Sequence, residues 1–370
     1  MVAQYARCVI SERNGGPGNP GGVTVAITGT AGYVAGRLIR NLLADDRVAR
    51  VLGFDLRDPQ VGAAKFVFDA VDVRHPELRR RLEGVDVLVH LAFIMDPIQD
   101  ETLMRDVNVN GSQNAFEAAA AAGVRKIVYT SSAAVYGAHP DNAVPLVEES
   151  PLRANLDFSY PAHKLEVEYM VQDFRDQHPE IVFTVFRPAT VFGANVDNAW
   201  SHLMEMPFLP VAEGYQPPMQ FVHEDDVADA LAFAVHKDLD GDYNLAADGW
   251  MEGDEVLAAV GRRRFHLSEP KLYRLADRLW RLGLAEAPPG MVHYVTYPWV
   301  VSSAKLAGEG FSATRSNSEA LGETVETARG KVRIGRKRYE KAHLARGAAG
   351  VGAAAALGVL AARKRSPERA

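Results

Sequence analysis

Val23-Thr24-Val25-Ala26-Ile27-Thr28-Gly29-Thr30-Ala31-Gly32-Tyr33-Val34-Ala35 is the stretch that decides how this chain folds. Val23 to Thr28 are mostly β-branched and show no polar alternation, the pattern of a strand buried on both faces. Gly29 and Gly32 then mark a tight turn, and from Tyr33 to Leu43 apolar residues recur at helical spacing. Strand, glycine turn and helix in that order form an anion site. Glycine lets the backbone approach a pyrophosphate, whose charge then meets the helix N-terminus. Ala35 stands where a third glycine is common, and it is small enough for close helix–strand packing. Asp55 ends the second strand 23 residues after Gly32, where a carboxylate can accept hydrogen bonds from the adenosine ribose hydroxyls. The turn therefore points to NAD, with Gly29, Ala31, Gly32, Tyr33, Val34 and Asp55 as contacts. Arg57, able to meet a 2′-phosphate, keeps NADP as the alternative.

Outward from this turn the same alternation continues. Arg50–Phe54, Lys65–Phe68, Val85–Leu91, Lys126–Thr130 and Ile181–Phe186 read as strands, and Asn108–Ala122 reads as a long helix ended by Gly123. A further helix runs from about Pro161 to Gln177. Strands alternating with helices predict an α/β fold, a doubly wound Rossmann-type parallel sheet covered on both faces. After Arg187-Pro188 the character changes. Met204–Val211 and Tyr215–Met219 are Pro-rich and apolar and read as lobe and loop material, while Val227–His236 and Leu272–Leu284 read as helices. The expected organisation is a flexible leader over 1–22, a dinucleotide-binding core over 23–188, and mainly a smaller C-terminal substrate lobe over 189–330. Some segments of that lobe return to the core, and a basic Ala/Gly-rich tail follows over 331–370.

Composition sets the outer bounds. With 370 residues, 47% apolar and 24% charged, the chain is neither a rod nor wholly disordered. Its single cysteine, Cys8, excludes an internal disulfide and any Cys-based zinc or iron–sulfur site, which fits a reducing, cytoplasmic setting. The net charge of −6 hides an asymmetry: residues 331–370 hold eleven Lys and Arg against two Glu, a local +9. The first 330 residues therefore carry −15, which argues against nucleic acid as a partner. Met1 to Gly22 lacks the apolar core of a signal peptide. Gly347–Ala362 is uncharged and flanked by basic residues. It is too short as a helix to cross a hydrocarbon core of roughly 30 Å. A disordered tail, an anchor lying on anionic lipid and a short spanning end remain three readings of it.

A second constellation carries the chemistry. Tyr160 and Lys164, four residues apart, share one helix face. A phenol is a poor base at neutral pH. A neighbouring ammonium and a positively charged nicotinamide both favour the phenolate. Ser132, at the end of a strand in Thr130-Ser131-Ser132, can hold a substrate oxygen.

With these residues in view, the chain resembles the extended short-chain dehydrogenases/reductases of the NAD-dependent epimerase/dehydratase family. The likeness runs from about Val23 to Ala247, more weakly to about residue 322. It rests on Thr28-Gly29-x-x-Gly32-x-x-Ala35, Asp72-Val73, His90-Leu91-Ala92, Asn108-Val109-Asn110-Gly111-Ser112 and Ser131-Ser132-Ala133-Ala134-Val135-Tyr136-Gly137. The Tyr160/Lys164 pair, Arg187-Pro188-Ala189 and Phe221-Val222-His223-Glu224-Asp225-Asp226-Val227-Ala228 complete the set.

The resemblance implies catalytic roles for Tyr160 as acid/base, for Lys164 as the holder of the nicotinamide ribose and for Ser132 on the substrate oxygen. It implies that Asp72 and Val73 flank the adenine, that Leu91 and Ala92 line the cofactor path and that Pro188 lies near the nicotinamide. Asn108 supports the active-site end of its helix. Asn108, Arg187 and His223 have a loop-fixing role as their alternative, which is the reading taken for His223, and His223-Glu224-Asp225-Asp226 reads as the acidic start of a helix rather than a metal site. A homodimer is the family-level expectation.

The substrate is harder to read. Relatives acting on nucleotide sugars carry a basic residue just before the segment matching Phe221-Val222-His223, and a second arginine before the segment matching Ser303-Ala304-Lys305-Leu306. Here the first positions are Pro218, Met219 and Gln220, and the second stretch, His293 to Val301, has no arginine. An unpaired diphosphate in a closed site is costly. Arg262, Arg263 and Arg264 are the candidate replacements. The lobe offers apolar residues instead, among them Trp200 and Met219 as pocket candidates. Three functions follow: hydride transfer at a secondary alcohol or ketone of an apolar small molecule, nucleotide-sugar 4-epimerisation with NAD retained, and non-catalytic cofactor sensing. Ala133-Ala134, where dehydratases often carry an Asp–Glu pair, argues against dehydration.

Overall fold

Strand β1 (Val23–Thr28) lies inside a parallel sheet that also contains β2 (Val48–Asp55), β3 (Phe66–Ala70), β4 (Val87–His90), β5 (Lys126–Thr130) and β6 (Val182–Pro188). The computed structural model describes residues 21–334 and 337–340. Short β7 (Thr190–Phe192), β8 (Phe208–Ala212) and β9 (Phe221–His223) lie off the sheet, and β10 (Gly241–Leu245) returns to it as the seventh strand. The order is β10-β6-β5-β4-β1-β2-β3, and every pair is parallel. The direction of winding reverses between β1 and β4. This is the point where open α/β sheets bind ligands at their carboxyl ends.

Helices cover both faces because these strands are apolar on both. On one face, α1 (Tyr33–Ala44) buries Ala35, Leu38, Ile39 and Leu42 beside Val227, Leu231 and Val235 of a helix over Glu224–His236. On the other, the helix over Gly111–Ala122 supplies Ala115, Phe116 and Ala119, and the helix over Ser159–Gln177 supplies Val167, Val171 and Phe174. In chain order the early helices are α2 (Leu78–Arg81), α3 (Glu101–Arg105), α4 (Gly111–Ala122), α5 (Ser159–Gln177), α6 (Ala199–Glu205) and α7 (Glu224–His236). Each buried Val, Leu or Phe in these layers contributes about 1.5–3 kcal/mol. Lys126 is also fully buried. Its ammonium donates to the carbonyls of Ala234, Val235 and Lys237, closing the C-terminal end of α7.

The expected helix over 108–122 divides in two. Asp106–Asn110 is a π-helical turn, and the α-helix begins at Gly111 and ends where Gly123 takes the left-handed conformation, φ 77°. The acidic cluster behaves as a helix start: Glu224, Asp225 and Asp226 fill the first turn of α7, and His223 Nδ1 accepts from the Asp225 amide at 3.1 Å.

Of the two segments read as lobe and loop material, 215–219 is loop apart from a single bridge of Met219 to Met251, and 204–211 needs correction. It includes the end of α6 and most of β8, which pairs with β11 (Arg263–Leu267). The rest of the lobe is helical: α8 (Gly253–Val260), α9 (Glu269–Arg281), α10 (Met291–Thr296), α11 (Ala304–Gly308) and α12 (Asn317–Arg329). The tail boundary also moves, because Lys331–Ile334 and Lys337–Glu340 pair as an antiparallel hairpin. Its Arg333 and Arg338 both bond the buried Glu205 of α6, which fixes this basic segment onto the lobe. Among the described residues no helix is long and apolar enough to cross a membrane. The leader up to residue 20 and the segment 347–362 lie outside the described residues.

Candidate active site

The crevice at the β1–β4 reversal opens into a cleft of about 380 Å³. Its floor is the glycine turn. Gly29 has φ +75°, and a Cβ there would lie 2.6 Å from the Ala92 nitrogen, so the turn and the end of β4 approach as closely as glycine alone permits. Thr28 ties the two strand ends together, its Oγ accepting from the Leu91 and Ala92 amides at 3.2 and 3.3 Å. Behind it, His90 spans from Thr28 Oγ, 2.8 Å from Nδ1, to Ser112 Oγ, 2.9 Å from Nε2. Ser112 donates onward to the Asn108 carbonyl, so Nε2 carries the hydrogen of His90. Burial, with the nearby Lys164 charge, lowers His90 to about 3, and the ring works as a neutral brace.

Asp55 closes the same turn. Its Oδ2 accepts the Ala31 amide at 2.9 Å and its Oδ1 accepts the Arg57 amide at 3.0 Å. Gly29, Gly32, Tyr33, Val34, Asp55, Arg57, Asp72, Val73, Leu91, Ala92 and Pro188 all line the cleft. Ala31 does not: it acts through the amide that fixes Asp55. Asn108 does not line it either. It is fully buried and clamps Ile94, accepting from its amide at 2.6 Å and donating to its carbonyl at 3.0 Å. Asn108 thus shapes the Phe93–Met95 wall without touching the contents. Asp72 lines the far end with its carboxylate held by Arg74, 2.6 Å away, and that guanidinium lowers its pKa. The strained glycine turn, the open helix N-terminus and the Asp55 carboxylate suit a dinucleotide.

At the other end, α5 brings the reactive groups together. Pro161 fits the first turn of the helix, where its missing N–H costs nothing. Tyr160 and Ser132 line the same corner of the cleft. Burial pushes the Tyr160 phenol up, and the Ser132 side chain offsets this only in part. The expected lowering of Tyr160 by Lys164 is therefore not a property of the protein alone. Lys164 is buried, donates to the Thr130 carbonyl at 2.6 Å and lies 3.5 Å from the centre of the Phe93 ring. Burial drives its ammonium well below the ordinary lysine range, against the pull of Glu168. Glu168 is thus the carboxylate that keeps the Lys164 ammonium from falling further.

Sequence reasoning passed over Glu168. It continues the four-residue step from Tyr160 and Lys164 on one helix face, and that step was its available signal. Glu168 is buried, accepts from Ser131 Oγ at 2.5 Å and pairs with Arg187 at 2.5 Å. Arg187 also reaches Asp242, the Tyr136 hydroxyl and the Glu148 carbonyl, a buried network that ties β6 to its neighbours. Aromatic rings enclose the reacting corner: Phe93 stands edge-on to Tyr160 at 5.9 Å, and Phe158, Tyr294, Trp299 and Trp200 close the lobe side. Met219 lies elsewhere, on a separate lobe cavity. Arg262 is committed to the carbonyls of Met204, Ala328 and Lys331, while Arg263 and Arg264 sit exposed or half-exposed on β11. None of the three arginines lines the cleft.

Comparison with known proteins agrees with this geometry. A mycobacterial protein of uncharacterised function (Mycobacterium tuberculosis) is 28% identical over 249 residues, 64% of this chain and 66% of its own length, so the match leaves about a third of that relative uncovered. UDP-glucose 4-epimerase 2 of Oryza sativa is 34% identical over 204 residues, 48% of this chain and 47% of that protein. Among solved structures, a Thermus thermophilus UDP-glucose 4-epimerase in complex with NAD superposes with a TM-score of 0.65 at 23% identity, covering 83% of this chain and 99% of that one. At this identity the superposition speaks for the fold. The profile of the NAD dependent epimerase/dehydratase family matches residues 25–246. With that match running from the first core strand to the segment after β10, the chain belongs to the NAD-dependent epimerase/dehydratase family, the extended short-chain dehydrogenases/reductases.

Proposed function

We propose that this chain is an NAD-linked oxidoreductase acting at a secondary alcohol or ketone of an apolar small molecule. The observation that carries this reading is the convergence of Ser132, Tyr160 and, one helical turn on, Lys164 on the cleft that begins at the glycine turn. NAD, when bound, accepts or returns the hydride. Gly29, Gly32 and Asp55 would hold its phosphates and adenosine ribose, and Lys164 its nicotinamide ribose.

In the oxidation direction, Ser132 holds the substrate hydroxyl and Tyr160, as phenolate, takes its proton while a carbonyl forms at the carbinol carbon. In reduction Tyr160 gives that proton back. Lys164 holds positive charge beside Tyr160 when phenolate is needed. Phe93, Phe158 and Trp299 exclude water, which strengthens each of these interactions. Support for an apolar substrate comes from the aromatic lobe side of the cleft and from the engagement of Arg262 with backbone carbonyls. A diphosphate would find no arginine facing it there.

The named relatives favour a second reading, 4-epimerisation of a nucleotide sugar with NAD retained and recycled. Absorbance at 340 nm separates the two. Net formation of NADH from NAD and an apolar secondary alcohol supports the first reading. Interconversion of nucleotide sugars without net NADH supports the second and refutes the first.

A further inference from the structure

A second cavity, of about 300 Å³, lies inside the lobe and plays no part in the chemistry above. Its walls come from α6, β8, α8, α9 and α10, and they are apolar: Leu203, Met206, Met219, Leu257, Leu279 and Val295 are representative. Ala199 and Trp200, at the start of α6, line both this cavity and the catalytic cleft. The Trp200 ring lies 6.0 Å from that of Trp299, which itself lines the cleft. Ala199 and the Trp200 indole thus stand between the apolar chamber and the cleft that Tyr160 and Ser132 line.

The polar end of the chamber has no charge to spare. Arg333 pairs with Glu205 at 3.2 Å and Glu286 at 2.5 Å. His202 stands 2.6 Å from Glu286 and 2.7 Å from Asp197, and Arg338 bonds both Glu205 and Asp197. Three carboxylates meet two guanidiniums and one imidazole, so the end carries no net positive charge and offers a phosphate nothing. The mouth lies along α9. Leu284 and Leu275 line the chamber and yet are 55% and 37% exposed. On α9 itself, Leu272, Leu275 and Leu279 turn toward the chamber at helical spacing.

We propose that this chamber takes the apolar body of the enzyme's own substrate, entering along α9. The substrate is then a lipid-class molecule whose uncharged hydrocarbon body lies in the lobe and whose carbinol or carbonyl carbon reaches past Trp200 to Tyr160. The proposal rests on the oxidoreductase reading of the cleft and adds the substrate class to it.

Displacement of bound Nile red by alkan-2-ones, from hexan-2-one to tetradecan-2-one, tests it on the full chain with NAD present. The expected result is a Kd that falls roughly fourfold per added methylene until the chamber is filled, then levels off. Tyr160→Phe keeps that series, because it alters the cleft and not the chamber. Ala276→Trp, placed on the chamber wall, flattens it. Should that variant fail to fold, Ala287→Phe on α10's approach makes the same test. A Kd independent of chain length in the unaltered protein overturns the proposal, as does an undiminished series in a folded filled variant. The two claims fail separately. A flat series together with NADH formation from small alcohols removes the chamber and leaves the oxidoreductase. A steep series with no NADH formed from any secondary alcohol of this class removes the oxidoreductase reading and the substrate role with it.

Discussion

Replacing Glu168 by Gln should unsettle both the fold and the chemistry, and the size of each effect follows from its surroundings. Glu168 and Arg187 are each about 2% exposed at the side chain and lie 2.5 Å apart, with Ser131 on the same carboxylate. Removing one partner of a buried pair costs about 3–5 kcal/mol, and Asp242, 2.8 Å from the Arg187 guanidinium, is the remaining carboxylate that offsets part of the stranded charge. With an unfolding entropy near 2.1 cal/mol/K per residue, a chain of this length should lose about 4–6 °C in Tm. Glu168 is also the group that opposes the downward shift of Lys164. Without it the lysine loses its proton at lower pH, so the alkaline limb of the pH–rate profile should move toward neutrality. Scanning calorimetry and a pH series of kcat/KM read the two effects. The double variant Glu168→Leu with Arg187→Met should recover much of the stability, because an apolar pair of similar volume removes the stranded charge. An unchanged Tm in Glu168→Gln would refute the reasoning, and an unmoved alkaline limb would refute its catalytic half.

The other predictions concern the cofactor end and Lys164. Asp55→Ala removes a charge-assisted acceptor and should cost roughly 10- to 100-fold in kcat/KM for NAD while raising the NADP/NAD ratio, measured with both cofactors. Gly29→Ala places a Cβ against the Ala92 backbone at a positive φ, so NAD titration should show binding lost or severely weakened. Lys164 is depressed in the folded state relative to an exposed lysine, so between its folded value and about 10.4 the unfolded chain binds more protons. Stability from this group therefore rises with pH across that window, and Lys164→Met should abolish the increment in denaturant titrations at stepped pH.

How much of this was legible in the sequence depended on how local the determining contacts are. The glycine turn, the Tyr160/Lys164 step and the Gly123 helix end are set within a few residues, and each was readable. Strand β10 was not. Gly241-Asp242-Tyr243-Asn244-Leu245 looks polar. It is buried because Asp242 meets Arg175 and Arg187, and Asn244 meets Tyr136, all distant in sequence. The same holds for the strand pair Lys331–Ile334 and Lys337–Glu340, whose basic composition placed it in the tail until Glu205 and Asp197, more than a hundred residues earlier, supply its partners. Asn108 was found by its motif, yet its job of holding Ile94 needed the fold. Met219, expected with Trp200 at the substrate, lines the lobe cavity and not the cleft, a placement that the packing of α6, α8 and α9 decides.

The most direct measurement pairs NAD titration with turnover in Tyr160→Phe. The account predicts that the variant binds NAD within about threefold of the unaltered protein while its turnover of a secondary alcohol, followed at 340 nm, falls about 10²–10⁴-fold. Turnover undiminished by the loss of that single hydroxyl would contradict it.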